Sequence, residues 1–230
     1  MRTACLTALA LASTSLPALA ETPLDKARAA PKDGPAYTFD LSIDDGTLKA
    51  KAKVDPSRPE GERLTLVTPD ATTLEGDAAE KYEEMRKATT GENIWCSNFA
   101  SNIPDDARLI SESGEAAVYS FQPIPEDKKD EMAKVYKFLT GRVTVSKETP
   151  SILAFELFAE KAFKPAIVAR VDSFSMKATC DYAPDGRTYI RDFAMDVSGN
   201  AMMQPFTQSE TRVVSNLVAL PGTDTAAGQR

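Results

Sequence analysis

Every second residue of the stretch 37–43 is apolar: Tyr37, Phe39, Leu41 and Ile43 alternate with Thr38, Asp40 and Ser42. Successive side chains of an extended strand point to opposite faces, so a period of two fits a strand with one buried and one wet face, and does not fit a helix. After Asp44-Asp45-Gly46, residues that tolerate positive φ, the pattern resumes with Leu48, Ala50, Ala52 and Val54 set against Thr47, Lys49, Lys51 and Lys53. The two runs predict a β-hairpin with a lysine stripe on its wet face.

The same signal recurs down the chain. Residues 108–111 and 115–122 flank Ser113-Gly114, and 142–147 sets Val143 and Val145 against Thr144 and Ser146. The run 166–182 ends with Phe174, Met176, Ala178, Cys180 and Tyr182 on one face. Its first half carries Ile167, Ala169 and Val171 in the opposite phase, which predicts a β-bulge or bend near Asp172-Ser173. Pro184-Asp185-Gly186 turns the chain into 188–197, and Gly199-Asn200 is expected to turn it again into a last strand running through Phe206 to Leu220.

Two helices interrupt this pattern. Residues 77–90 offer a capping-box pair in Asp77 and Glu80, an apolar face of Ala78, Tyr82 and Met85, and a terminating Gly91. Residues 126–140 follow Pro125, space Met132, Val135, Tyr136 and Leu139 helically, and stop at Gly141. The fold class read from these elements is mainly β (α+β): an antiparallel meander sheet covered by two helices. Residues 36–220 are expected to form one domain, because no internal repeat or long linker divides them. Residues 21–35, polar and broken by prolines, read as a flexible N-terminal segment, and 221–230 as a disordered tail.

The chain opens with Met1-Arg2, an apolar run over residues 3–16, Pro17 and the small-residue sequence Ala18-Leu19-Ala20. This is the layout of a signal peptide, residues 1–20, cut after Ala20. The run falls short of the roughly 20 apolar residues that span a bilayer. Cys5 lies at the start of the run, where a lipidated cysteine would follow it, and is expected to leave with the signal. The mature chain is then expected in the periplasm, not as an integral membrane protein. Losing Arg2 makes the net charge one unit more negative than the −7 of the whole sequence. That balance disfavours nucleic acid as a partner, and equally disfavours adsorption to anionic lipid by charge alone.

Export bears on the two cysteines of the mature chain, Cys96 and Cys180, since disulfides persist outside the cytoplasm. They are expected to pair, closing a loop that stabilises the fold by up to about 4–5 kcal/mol in the chain-entropy treatment. The competing readings are two buried free thiols or a metal site; the second lacks ligands, as there is no histidine and no third thiolate. Trp95, beside Cys96, is expected to pack against the disulfide.

The absence of histidine also removes Ser-His-Asp and Cys-His nucleophile systems. No Gly-x-Ser-x-Gly elbow, phosphate-cradling glycine loop or dinucleotide fingerprint is present. A carboxylate pair or a serine-lysine dyad remains available, but the acids stand mostly in turns or opposite apolar strand residues. No catalytic residue, metal ligand or cofactor is assigned.

One stretch stands apart. Residues 151–159 are apolar on both faces, with Leu153, Phe155 and Leu157 on one and Ile152, Ala154 and Phe158 on the other. Such a strand is covered twice: as a central strand under a helix, or as the lining of a lipid-sized cavity. In the second case Phe155 and Leu157, with Phe174 and Met176 on the neighbouring run, are the candidate ligand contacts.

Over residues 141–217 the order of strands and turns resembles the periplasmic half-barrel superfamily of lipoprotein carriers and receptors and of envelope-stress regulators (LolA, LolB and RseB). The resemblance is carried by Gly141-Arg-Val-Thr-Val145 followed by Thr149-Pro150, by Phe163-Lys-Pro165, the 174–182 strand, the Pro184-Asp-Gly turn and Val197-Ser-Gly199. It implies a strongly curved antiparallel sheet, a half-barrel, with helices plugging its concave side and a mouth that accepts acyl chains. The chain departs from the carriers in its acidic balance and in having no arginine that matches their functional one, so no residue role is carried over. The reading that follows is a non-enzymatic periplasmic binding or interaction protein whose apolar concavity takes a lipid, an acyl chain or a lipidated envelope partner. Two alternatives stay open: a structural interaction module whose concavity is filled, and a cell-envelope hydrolase working through paired carboxylates.

Overall fold

The computed structural model describes residues 21–126 and 133–222. The expected signal peptide, Met132 with the first part of the second expected helix, and all but the first two residues of the expected tail lie outside the described residues.

Eleven strands form a single antiparallel sheet: β1 (Tyr37–Asp44), β2 (Lys49–Val54), β3 (Leu64–Thr68), β4 (Arg108–Glu112), β5 (Ala116–Phe121), β6 (Thr140–Ser146), β7 (Ile152–Phe158), β8 (Phe163–Ala166), β9 (Ala169–Tyr182), β10 (Thr188–Ala201) and β11 (Gln204–Ala219). Their spatial order is β3-β2-β1-β11-β10-β9-β7-β6-β5-β4, with β8 paired to β9 beside this path. The sheet is open and curved, a half-barrel whose two edges, β3 and β4, do not meet. The first and last strands lie side by side in its middle, Leu41 opposite Val214 and Ile43 opposite Arg212.

The expected hairpin forms as β1 and β2, with Leu41 opposite Ala52 and Lys49, Lys51 and Lys53 exposed. Asp45 closes its turn by accepting the N–H groups of Thr47 and Leu48 at 3.0 and 2.8 Å. The bulge expected near Asp172-Ser173 is present: the β9–β10 register slips where Ser198 faces Ser173 and Gly199 faces Val171. The turn expected at Gly199-Asn200 does not form, because β10 continues to Ala201. Both residues sit inside β10, paired with Phe206 and Pro205, and the chain turns at Met202-Met203. Gly199 serves a close approach instead, since a Cβ there would lie 2.1 Å from the Arg170 carbonyl oxygen. Gly141 likewise does not stop a helix; it lies in β6, where the Phe121 ring covers it.

Helix α2 (Gly76–Ala88) follows the expected periodicity, burying Tyr82 and packing Ala78 and Met85 against the core. The Asp77–Glu80 box does not form; Glu75 is the N-cap and makes no capping bond, and Gly76 has φ 53°. Of the second expected helix, the described part is α3 (Ala133–Tyr136), leading into Leu139, which is buried. Two further covering pieces appear. Helix α1 (Pro23–Arg28), within the segment 21–35 expected to be flexible, is closed by a Thr22–Asp25 capping box and buries Leu24 and Ala27. A 3₁₀ segment, Cys96–Asn102, crosses the inner face.

The core divides in two. One cluster centres on Phe155, Val143, Val145 and Ile152 and is covered by α1, the 3₁₀ segment and α3. The other joins Tyr37, Phe39, Val54, Leu64 and Val214 to Tyr82 of α2 and to Ile94 and Trp95. Cys96 and Cys180 are bonded, tying the 3₁₀ segment to β9. Trp95, expected against the disulfide, belongs to the second cluster, whereas Cys96 and Cys180 belong to the first; its ring carries the Arg187 guanidinium at 3.6 Å and meets the edge of Tyr37 at 5.7 Å. Arg187 is itself held by Asp185 at 2.7 Å and by the carbonyls of Lys32 and Pro35.

Candidate functional site

Between the two clusters the inner face is not filled. A groove of 310 Å³ runs from the C-terminal end of α2 and the loop behind it, over residues 88–94, to the sheet beneath. Phe39 and Leu41 of β1, Val54 of β2, Phe193 of β10 and Val214 of β11 form its floor; Met85, Ile94 and Phe99 form its roof and end wall. The volume lies at the small end of the range for ligand sites, about 300–1,000 Å³. Its walls are apolar because the inward phase of four strands converges there, as period-two pairing requires.

The groove exists because of what covers it. Above the filled cluster, Phe99 stacks on Phe155 with ring centroids 4.4 Å apart. Above the groove, between Met85, Ile94 and Phe99, the lining residues are Ala88, Thr89, Thr90, Gly91 and Asn93, small or polar side chains that leave the space open.

Arg212 alone among the lining residues carries a charge. It stands at the mouth, its guanidinium 5.7 Å from the Phe193 ring centroid and its Nε donating to Glu210, a residue only 8% exposed. Burying that carboxylate is tolerable because the arginine accompanies it.

The sequence-predicted contacts lie next to this groove. Phe155, Leu157 and Phe174 are buried in the disulfide cluster, and Met176 packs partly buried against it. Leu157 and Met176 are register partners. Phe155 belongs to one cross-strand row with the groove, Phe155–Ala178–Phe193–Arg212, and is separated from it by the Phe99 ring. Phe193, Ile94 and Phe99 carry no sequence signal that marks them as groove residues. Phe193 looks like any other residue of the 188–197 strand, and Ile94 and Phe99 fall in an aperiodic stretch. For Arg212 a signal existed: Glu210 and Arg212 share their phase with Phe206 and Val214, so two charges fall where apolar residues are due.

Among the described residues no cluster of three or more metal-ligating side chains occurs, and no helix is long and apolar enough to cross a membrane. No protein-family model matches the chain, and no curated protein matches it. Two solved structures are similar over most of their length. A DUF1329 family protein from Desulfovibrio piger is 12% identical, with 87% of this chain and 92% of that one covered and a TM-score of 0.34. A domain put forward as an outer membrane lipoprotein-sorting protein, from Vibrio parahaemolyticus, is 14% identical, with 86% and 92% covered and a TM-score of 0.30. The half-barrel assignment rests on this chain's own strand pairing.

Proposed function

We propose that this chain is a non-enzymatic periplasmic binding protein that takes one apolar chain, the acyl tail of a lipid or of a lipidated envelope partner, into the groove between α2 and the sheet. The observation that carries the reading is the unfilled concavity, walled by Phe39, Leu41, Ile94, Phe99 and Phe193 and open to solvent beside Arg212. Apolar surface left in water at the mouth of a preformed site favours an apolar occupant. Phe155, Leu157, Phe174 and Met176 serve in this reading as the packed support on which Phe99 rests, and α2 with the 88–94 loop as the part that moves if a longer chain enters. For a hydrolase, two free inward carboxylates about 5–9 Å apart would be required. The groove lining contains no carboxylate, and Glu210 beside it is taken by Arg212.

The test is to purify the mature protein from an oxidising periplasm and combine native mass spectrometry with solvent extraction of lipid. Near-stoichiometric fatty acid or phospholipid on the wild type, lost in Ala88→Trp, which fills the groove from its rim, is the expected result. A wild-type mass free of any lipid would leave the filled interaction module as the better reading.

A further inference from the structure

The turn between β10 and β11 has an unusual composition. Its two residues are Met202 and Met203, and both have positive φ, 51° and 66°. Two-residue turns of this hand favour Asn and Gly, because Cβ is crowded against the carbonyl oxygen in the left-handed region, which Gly avoids and Asn offsets with a local side-chain hydrogen bond. Methionine has no local hydrogen bond to compensate. The strained backbone instead presents two long apolar side chains to solvent, the residues being 76% and 97% exposed.

A second apolar tip lies beside it. Ile167 and Val168, between β8 and β9, are 102% and 59% exposed. The tips are joined by the Met202 N–H donating to the Val168 carbonyl at 2.9 Å, and by Ala169 pairing with Ala201. Four large apolar side chains therefore project together from one end of the sheet, a feature that marks a contact surface rather than a solvent face.

The charge beside them is slightly positive, three bases to two acids over residues 160–172. Residues 161–171 carry Lys161, Lys164 and Arg170 and no acid, and residues 197–209 carry no charge, in a chain with a net charge of −7. Lys161, Lys164 and Arg170 are all exposed. Acids bound this stretch on both sides: Glu160, exposed beside Lys161, and Asp172, which bonds Arg170 at 2.6 Å, so Lys164 is the cation of the three with no acid next to it in sequence or paired to it among the described residues. Projecting aliphatic and thioether side chains, flanked by lysines and without an aromatic platform, match a lipid–water interface. There the apolar tips reach the acyl boundary and the cations stay at anionic head groups.

We propose that the paired tips Ile167-Val168 and Met202-Met203 form a membrane-docking wedge that seats this end of the half-barrel on an anionic bilayer surface. The inference is independent of the acyl-chain reading. Met203 and Arg212 are separated along β11 by roughly 30 Å at about 3.3 Å per residue, so wedge and groove can fail separately.

Flotation of the mature protein with vesicles of phosphatidylethanolamine and phosphatidylglycerol, about three to one, at low salt tests it. The decisive variant is Met202→Asn with Met203→Gly, which removes the apolar tips while supplying residues the turn geometry prefers, so folding is not at risk. We expect the wild type to float and this variant to lose roughly tenfold or more of the bound fraction. Lys161→Gln with Lys164→Gln should lose less, and lose it on the anionic vesicles. Uptake of acyl chains into the groove should be unchanged in both. A wild type that stays unbound, or a turn variant that floats equally well, overturns the proposal. So does a wild type that fails to float but dimerises in analytical ultracentrifugation while the turn variant is monomeric, because the tips then meet a second copy.

Discussion

Phe155 and Phe193 lie in one cross-strand row, two strands apart, with Ala178 between them, yet they meet different surroundings. Over Phe155 the cover is complete: the 3₁₀ segment is bonded to β9 through Cys96–Cys180 and lays Phe99 flat on the ring. Over Phe193 the cover between Met85, Ile94 and Phe99 consists of small and polar residues behind α2, and a groove remains. The sheet is continuous across both, so its strand pattern does not explain the difference. What differs is the length of the covering side chains and how firmly their backbone is tied down. A half-barrel of this kind becomes a binding site or a closed core according to the segments that cross it.

The largest effect should come from breaking the filled side. Phe155→Ala is expected to cost about 3–5 kcal/mol in urea unfolding, as truncation of a large aromatic in a closed core does. Met85→Ala, on the groove side, should cost roughly 1 kcal/mol, since one flank of Met85 already faces the groove. Equal costs would mean that the two halves are packed alike. Removing the tie, as Cys96→Ala with Cys180→Ala, should lower stability by about 2–4 kcal/mol. It should also loosen the Phe99 end of the groove, read as faster hydrogen exchange over residues 96–102.

The groove side has its own tie, an electrostatic one. Asp45 joins the β1–β2 turn to α2 through Lys81 at 3.4 Å, with its side chain 6% exposed. Burial works against the charged carboxyl, but the N–H groups of Leu48 and Thr47 and the Lys81 ammonium outweigh it and hold the group below its ordinary value. A lowered folded pKa means stability that is present above the unfolded value, about 3.9, and is lost as pH falls through the folded one. Asp45→Asn should therefore cost about 1–2 kcal/mol at neutral pH and flatten the acid limb of the stability profile below about pH 4. An unchanged acid limb would show that Asp45 is not a tie. The smallest expected change in stability, within about 0.5 kcal/mol, is that of Ala88→Trp at the groove rim. Loss of acyl-chain binding without loss of stability would sharpen the contrast between a packed half and an open one.

The elements were legible because periodicity is a local property: each residue's face follows from its neighbours, so the β1–β2 hairpin and the β9 bulge follow from a period of two and the apolar face of α2 from a period of 3.6. Glycine was the weak point. Gly199 and Gly141 look like turn or stop signals in sequence, but each serves a close approach that involves a distant strand. The true turn, Met202-Met203, carries residues that propensity would never place there. Helix α1 has a local capping signal but owes its position to Leu24 and Ala27 meeting β-strands far along the chain.

By itself, then, the sequence determined the mainly antiparallel architecture and the inward and outward sets of most strands, and it made the Cys96–Cys180 bond an expectation. All of these depend on period, composition or compartment. Tertiary structure alone decided that β1 lies beside β11, that the inner face is filled over Phe155 and open over Phe193, and that two apolar turns meet at one end. Each of these depends on which segments, tens of residues apart, come to lie across or beside one another, and no local periodicity records that.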